Sequence, residues 1–366
     1  MVACIISKTG FLPDSATMAC SRSLTRTAVK QHLQIPNETA LGRVCMLEKQ
    51  PGSPVVVGAH HGYSDMFRLD SETDQSTPSL DKIVVPPGQL NCATFLDGIW
   101  YLGVYGGSIL AAYRPDHPFV CNENPRTITT VGHEQNRPVG IVNDGRYVYM
   151  ASKATYQRLG GAITVLDPGT EKIQEYRDFV PSQNPQCLFY HPSGLLLGTT
   201  QTFGDMRSCT ARDKNAVLFA WDTLLRKTVH TSYPWESDSL GAYDLSPDGI
   251  LIGFNDGHYF LFNALDFSCV LVKSDIPQPP AGEIFLDARR FLGSYQKPGT
   301  GEFRFFILDI ASNRVEDLGP TQNTQFFAKL SDHEVLIKLV LNVTNVHIKG
   351  AFLHFILQIS TVKYRQ

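Results

Sequence analysis

The sequence predicts an all-β fold, a β-propeller of seven four-stranded blades with six or eight left open, on three observations. A pattern of paired apolar strands recurs with a period in the forties. Turn-forming residues are abundant, with 29 Gly and 22 Pro among 366 residues. Aromatic residues are abundant as well, with 21 Phe and 14 Tyr, as short strands joined by frequent turns require.

The repeat opens on a polar turn, often Asp-Gly, and continues in a short apolar strand that ends at a small residue. After a variable loop, a second apolar strand ends near Asp. A faint first copy has Val55 to Gly58, then Met66 to Asp70. In the second, Asp97-Gly98 leads Ile99 to Gly103, then Ile109 to Tyr113. In the third, Asp144-Gly145 leads Tyr147 to Ala151, then Ile163 to Asp167. Ser193-Gly194 leads Leu195 to Gly198, then Val217 to Asp222. Asp248-Gly249 leads Ile250 to Gly253, then Tyr259 to Phe262. Asp287 precedes Phe291 to Gly293, then Phe305 to Asp309, and a faint last copy has Val335 to Ile337. The small residues at 58, 103, 151, 198, 253 and 293 are 45, 48, 47, 55 and 40 positions apart, the spacing a four-stranded blade needs. A further strand precedes several copies, as at 93–95, 139–142, 187–190 and 326–328, and supplies the innermost strand of each blade. A blade buries its faces only against its neighbours, and ring closure removes most free edges.

Residues 1–45 do not follow the pattern and are expected to form a loosely ordered arm, Ser/Thr/Arg-rich from Ser15 to Lys30, or a ring-closing strand. Residues 46–366 are assigned to the propeller. The segment from about 340 is off-pattern, and either end could close the ring.

The formal net charge is -3, and no long basic or acidic run calls for nucleic acid or an anionic membrane. No stretch reaches the roughly 18 apolar residues of a membrane span. The apolar start Val2–Ile6 is too short for a secretory signal, so the expectation is a cytoplasmic protein, or a secreted one if the N-terminus is incomplete. None of the eight cysteines falls at the spacing of a zinc or redox motif, so they are expected to be buried thiols. Sequons at Asn37 and Asn342 weigh little.

A propeller's sites usually lie on the face that carries the loops between second and third strands and the connections between blades. Those loops hold His60 and His61; Tyr105; His133 to Arg137; Lys153, Tyr156 and Arg158; Gln183 and Gln186; and Arg207. Loop residues are polar anyway, and a bare His60-His61 pair without a third ligand is a weak metal signal, so no metal and no cofactor is assigned. His, Tyr and Arg together suit eliminative cleavage beside a uronic acid. Arg neutralises the carboxylate bidentately, a base removes the acidified proton, and an acid protonates the leaving oxygen.

The stretch Arg137-Pro138-Val139-Gly140-Ile141-Val142-Asn143-Asp144-Gly145-Arg146-Tyr147-Val148-Tyr149, with Tyr156 and Gly160 to Pro168, resembles the fungal L-rhamnose-α-1,4-D-glucuronate lyases and related seven-bladed polysaccharide lyases. Tyr105-Gly106-Gly107, Tyr113-Arg114-Pro115 and Asn124-Pro125 fit the resemblance too. It extends over about residues 55–310, with close likeness over some 60 of them. The resemblance implies a lyase acting on uronate-containing glycans. On the residues' own chemistry His61, Tyr105, His133 and Tyr156 are the catalytic candidates, and His60, Arg137, Arg158 and Arg207 the substrate-binding ones. Two alternatives stand beside a glycan lyase. One is a non-catalytic WD40- or YVTN-like scaffold that binds a protein partner, to which Trp221-Asp222 points. The other is a cofactor-dependent propeller oxidoreductase.

Overall fold

Among the described residues of the computed structural model, strands alone fill the regular part, save for one 3-10 turn at Asp205–Arg207. Described are residues 2–7, 28–34, 44–62, 64–70, 75–81, 88–255, 257–276, 283–321, 323–331, 334–340 and 358–363. Most of the Ser15–Lys30 arm, Tyr63 and the sequons at Asn37 and Asn342 lie outside the described residues.

The chain forms a β-propeller whose blades are antiparallel meanders. Blade 1 comprises Val44–Lys49, Val55–His60, Asp65–Asp70 and Gln75–Asp81. Blade 2 comprises Gln89–Leu96, Ile99–Tyr105, Ile109–Tyr113 and Arg126–Thr130; blade 3, Gln135–Asn143, Val148–Ala154, Ala162–Asp167 and Lys172–Arg177. Blade 4 splits its first strand into Asn184–Pro185 and Phe189–His191, followed by Leu195–Gln201, Leu218–Asp222 and Lys227–Ser232. Blade 5 comprises Asp244–Leu245, Ile250–Asn255, His258–Asn263 and Ser268–Lys273; blade 6, Glu283–Phe285, Arg290–Gln296, Phe303–Asp309 and Arg314–Thr321.

Six blades follow this plan, where the sequence spacing predicted seven. The remaining sheet runs in the order Ala28–Gln34, Val2–Ser7, Gln358–Lys363, Glu334–Val340, Asn323–Ser331. Val2–Ser7 pairs parallel with Gln358–Lys363, from the other end of the chain. A hairpin cannot make a parallel pair, so this sheet is assembled from both chain ends and carries no local repeat signature. Its Asn323–Ser331 strand touches the first strand of blade 6 on one side and that of blade 1 on the other.

The core is divided between neighbouring sheets. Met46, Met66 and Val57 of blade 1 pack on Leu90, Trp100 and Leu102 of blade 2. Tyr149 and Val165 of blade 3 meet Leu196, Phe219 and Trp221 of blade 4. The small residues of the repeat lie inside the second strands rather than at their ends. Gly58, Gly198, Gly253 and Gly293 each pair across the sheet with a phenylalanine of the third strand: Phe67, Phe219, Phe260 and Phe306. A Cβ on Gly58 would come within 2.2 Å of the Phe67 ring, so the repeated glycine makes room for a repeated aromatic.

Turn chemistry fixes the two faces. First-to-second turns such as Asp97-Gly98, with φ of 49° and 80°, are the tight hairpin type. Third-to-fourth turns lie on the same face, called here the turn face. In four of them the residue ending the third strand caps the turn: Asp167 accepts from Gly169 N, Asp222 from Leu224 N, Asn263 from Leu265 N and Asp309 from Ala311 N. That is why the apolar strands end near Asp. The second-to-third loops and the blade connections open on the opposite, loop face.

Cys92, Cys187, Cys209 and Cys269 are free thiols, Cys92 among them buried, whereas Cys121 is exposed, against expectation, because it sits in a solvent-facing loop. No helix among the described residues is long and apolar enough to cross a membrane.

Candidate functional site

Three consecutive blades bring polar side chains together on the loop face. Tyr105 ends the second strand of blade 2. Arg137 lies near the start of the first strand of blade 3 and pairs in register with Lys153 of the second. Tyr156 follows in the loop, and Asp205 comes from the second-to-third loop of blade 4.

Two cations facing each other across a strand pair repel. Asp205, itself buried, offsets that repulsion: Arg137 Nε donates to its Oδ2 at 2.7 Å, and Lys153 Nζ stands 3.9 Å from its Oδ1. The Arg137 guanidinium also lies 4.1 Å from the centroid of the Tyr105 ring, a cation–π contact. The Tyr105 and Tyr156 hydroxyls are 2.8 Å apart, and an Arg137 NH2 group donates to the Tyr156 hydroxyl at 3.4 Å. The hydrogen bond to Tyr156, and then burial, raise the Tyr105 phenol above its ordinary value.

Lys153 is buried beneath this group. Its Nζ donates to Gln186 Oε1 and Gln201 Oε1, each at 2.8 Å. Burial pushes its ammonium down to about 8; Asp205 opposes the shift and the Arg137 charge adds to it. Gln186 in turn donates to Ser239 Oγ at 2.9 Å, and Gln201 to the carbonyls of Phe203 and Gly204. The amides are thus held from both ends, and the lysine sits in a fixed frame.

Of the catalytic and substrate-binding candidates, Tyr105, Arg137 and Tyr156 come together, joined by Lys153 and Gln186 from the same face. The others are placed differently. His60 is buried; its Nδ1 lies 2.5 Å from Asp65 Oδ2, its backbone N–H donates to Asp65 Oδ1, and its Nε2 has no accessible surface. It therefore offers no edge to a substrate. His61 is exposed in the turn after the second strand of blade 1. His133 is exposed with φ of 40°, and its carbonyl accepts from Arg177. The described contacts join neither His61 nor His133 to the tyrosine–arginine group. Arg158, expected to flank an anion with Arg137, pairs with Glu134 at 3.1 Å on the surface. Arg207 stacks over Phe203 at 3.9 Å and pairs with Asp238 at 2.8 Å.

Lys153 was placed on this face but given no role, and Asp205 and Gln201 were not among the candidates. Lys153 and Gln201 sit at the loop-face ends of second strands, where a polar residue breaks an apolar run, and that break was a readable signal. Asp205 gives none, because its partner Arg137 is 68 positions away. No group of three or more His, Cys, Asp or Glu among the described residues forms a metal cluster.

What the cluster can do follows from its parts. It offers a guanidinium with unspent donors, a lysine whose neutral form is populated near pH 8, and two phenols hydrogen-bonded to each other. Such a set can engage a carboxylate, accept a proton and donate one. No protein-family model matches the chain, and no curated protein matches it.

Proposed function

We propose that the loop face binds a uronate-bearing glycan and cleaves it by β-elimination. The observation that carries this reading is the convergence of Tyr105, Arg137, Lys153, Tyr156 and Asp205 from three blades. The resemblance of the Arg137–Pro168 stretch to the rhamnose–glucuronate lyases supports it as well.

In this reading Arg137, oriented by Asp205, faces the substrate carboxylate and acidifies the adjacent C–H. Neutral Lys153 takes that proton; the C–H electrons form the C=C bond; the C–O bond to the leaving sugar breaks. Tyr156, hydrogen-bonded to Tyr105, gives its proton to the leaving oxygen. Burial, which lowers the Lys153 ammonium to about 8, suits the lysine to the base role. This moves proton abstraction from His61 or His133 to the lysine. We also count the two-ended sheet as the seventh blade, because its Asn323–Ser331 strand bridges blades 6 and 1.

Incubation with uronate polysaccharides tests the reading through the absorbance of the unsaturated product. Product formation that requires Arg137 and Lys153 supports it. Failure on every uronate glycan favours the scaffold reading, for which the closed Arg137–Asp205–Lys153 network merely ties three blades together.

A further inference from the structure

The turn face carries a departure from the repeat that the loop-face site does not explain. Four blades close their third and fourth strands with four-residue turns, at 168–171, 223–226, 264–267 and 310–313. Blade 2 uses twelve residues, 114–125, at the same place. In repeat proteins such insertions map to loops on one face, often the binding face.

The long loop has a built frame. The Asn124 side chain accepts from Arg114 N at 2.8 Å and donates to the carbonyls of Arg114, His117 and Pro118 at 2.9, 3.2 and 3.0 Å. Backbone bonds between Val120 and Asn124 close its tip. Asn124 thus takes over the capping done elsewhere by Asp167, Asp222, Asn263 and Asp309.

Beneath the loop, between blades 2 and 3, opens a pocket of about 310 Å³. Its floor is apolar, with Ile99, Ile128 and Leu166, and Val120 overhangs it. Its rim mixes donors and acceptors: Arg114, and the Arg126–Glu171 ion pair that spans the two blades. Arg114 makes no ion pair among the described residues, and the Tyr101 hydroxyl at the wall makes no hydrogen bond among them. Burial, and then Asp97, raise the Tyr101 phenol, Arg114 and Arg126 pull it back and Glu171 adds to the rise, so the hydroxyl lies within the field of the rim's cations and carboxylate alike.

We propose that this pocket binds a single hydroxylated ring, a monosaccharide or one terminal sugar of a glycan. A sugar has apolar C–H faces for the floor and hydroxyls around its edge that both give and accept hydrogen bonds. The near balance of cations and carboxylates on the rim matches such an edge and gives no net charge to attract a nucleotide or a phosphate. The volume sits at the lower end for small-molecule sites, which suits one ring. The inference is independent of the loop-face reading, since the pocket lies on the opposite face and shares no residue with that site.

Saturation-transfer NMR with methyl glycosides of glucose, galactose and rhamnose, none of which carries the carboxylate that the loop-face reading requires, tests it. The expected result is transfer to at least one glycoside, with affinity at least roughly tenfold weaker in Arg114→Ala and in Tyr101→Phe and unchanged in Arg137→Ala. Arg114 is exposed, so its replacement leaves the fold intact if Tyr101→Phe does not. Transfer to none of the glycosides overturns the proposal, and so does transfer that survives both pocket variants or disappears in Arg137→Ala alone.

Discussion

Arg137 and Asp205 lie 68 positions apart and meet at 2.7 Å, joining the first strand of blade 3 to a loop of blade 4. The pair does more than join blades, because Asp205 is also the counter-charge nearest to Lys153. Removing one partner leaves a buried charge behind. Arg137→Ala is therefore expected to cost about 2–3 kcal/mol of stability, somewhat below the range for fully buried pairs, since Arg137 is part-exposed. Arg137→Ala combined with Asp205→Asn should recover part of that loss. A double-mutant cycle in denaturant measures the coupling, and a value near zero would show that the contact contributes nothing.

Lys153 makes stability depend on alkaline pH. Its folded value, about 8, is below the usual lysine value of 10.5. Between those values the unfolded chain binds more protons than the folded one, so stability rises with pH across that window. Below about 8 the burial penalty is fully present, on the order of 3 kcal/mol. Unfolding midpoints from pH 7 to 10.5 should climb in the wild type and climb less in Lys153→Met. Parallel curves for the two proteins would contradict this.

Glu48 gives the opposite slope at lower pH. It lies on the first strand of blade 1 with its side chain exposed, within electrostatic reach of Asp244 on the first strand of blade 5. Burial within the ring, and then Asp244 of blade 5, push its carboxyl up from 4.5 to about 8. Here the folded state binds more protons between those values, so stability falls as pH rises through the window. Asp244 is itself pushed up to about 6 by burial, although it accepts from Phe285 N and Leu245 N. Glu48→Gln should flatten the fall between pH 4.5 and 8. A wild-type profile that is already flat there would remove the argument.

The glycine–phenylalanine pairs predict a rescue. Gly58→Ala drives a methyl into the Phe67 ring and should cost about 1–3 kcal/mol. Phe67→Leu added to it should return part of the loss, because all three nearest atoms belong to that ring. Gly253→Ala should not be rescued by Phe260→Leu to the same degree, since the Gly241 carbonyl lies 2.3 Å from the added Cβ. Equal rescue at both sites, read by thermal unfolding, would overturn the comparison.

Local features of this fold were legible in the sequence, and features made at long range were not. The Asp97-Gly98 turn, the Gly–Phe second and third strands and the Asp caps are each decided within a few residues, so the repeat and the propeller could be read directly. The sheet built from Val2–Ser7 and Gln358–Lys363 pairs opposite ends of the chain and breaks the repeat, which is why the predicted seven blades became six regular ones. The candidate site divides in the same way. Tyr105, Arg137 and Tyr156 were found because loop position on one face follows from the repeat. Asp205 was missed because only the folded ring brings it to Arg137, and Arg158 was misplaced because its partner, Glu134, comes from the connection that enters the same blade.

The most direct test of the central claim is turnover on a uronate polysaccharide, per folded molecule, for wild type and Arg137→Ala at matched folding. The account predicts an unsaturated uronate product from the wild type. It predicts a rate roughly 30- to 1000-fold lower in Arg137→Ala, the loss of one charge-assisted contact made in the transition state. Equal rates in the two proteins, or no product from the wild type on any such glycan, would contradict it.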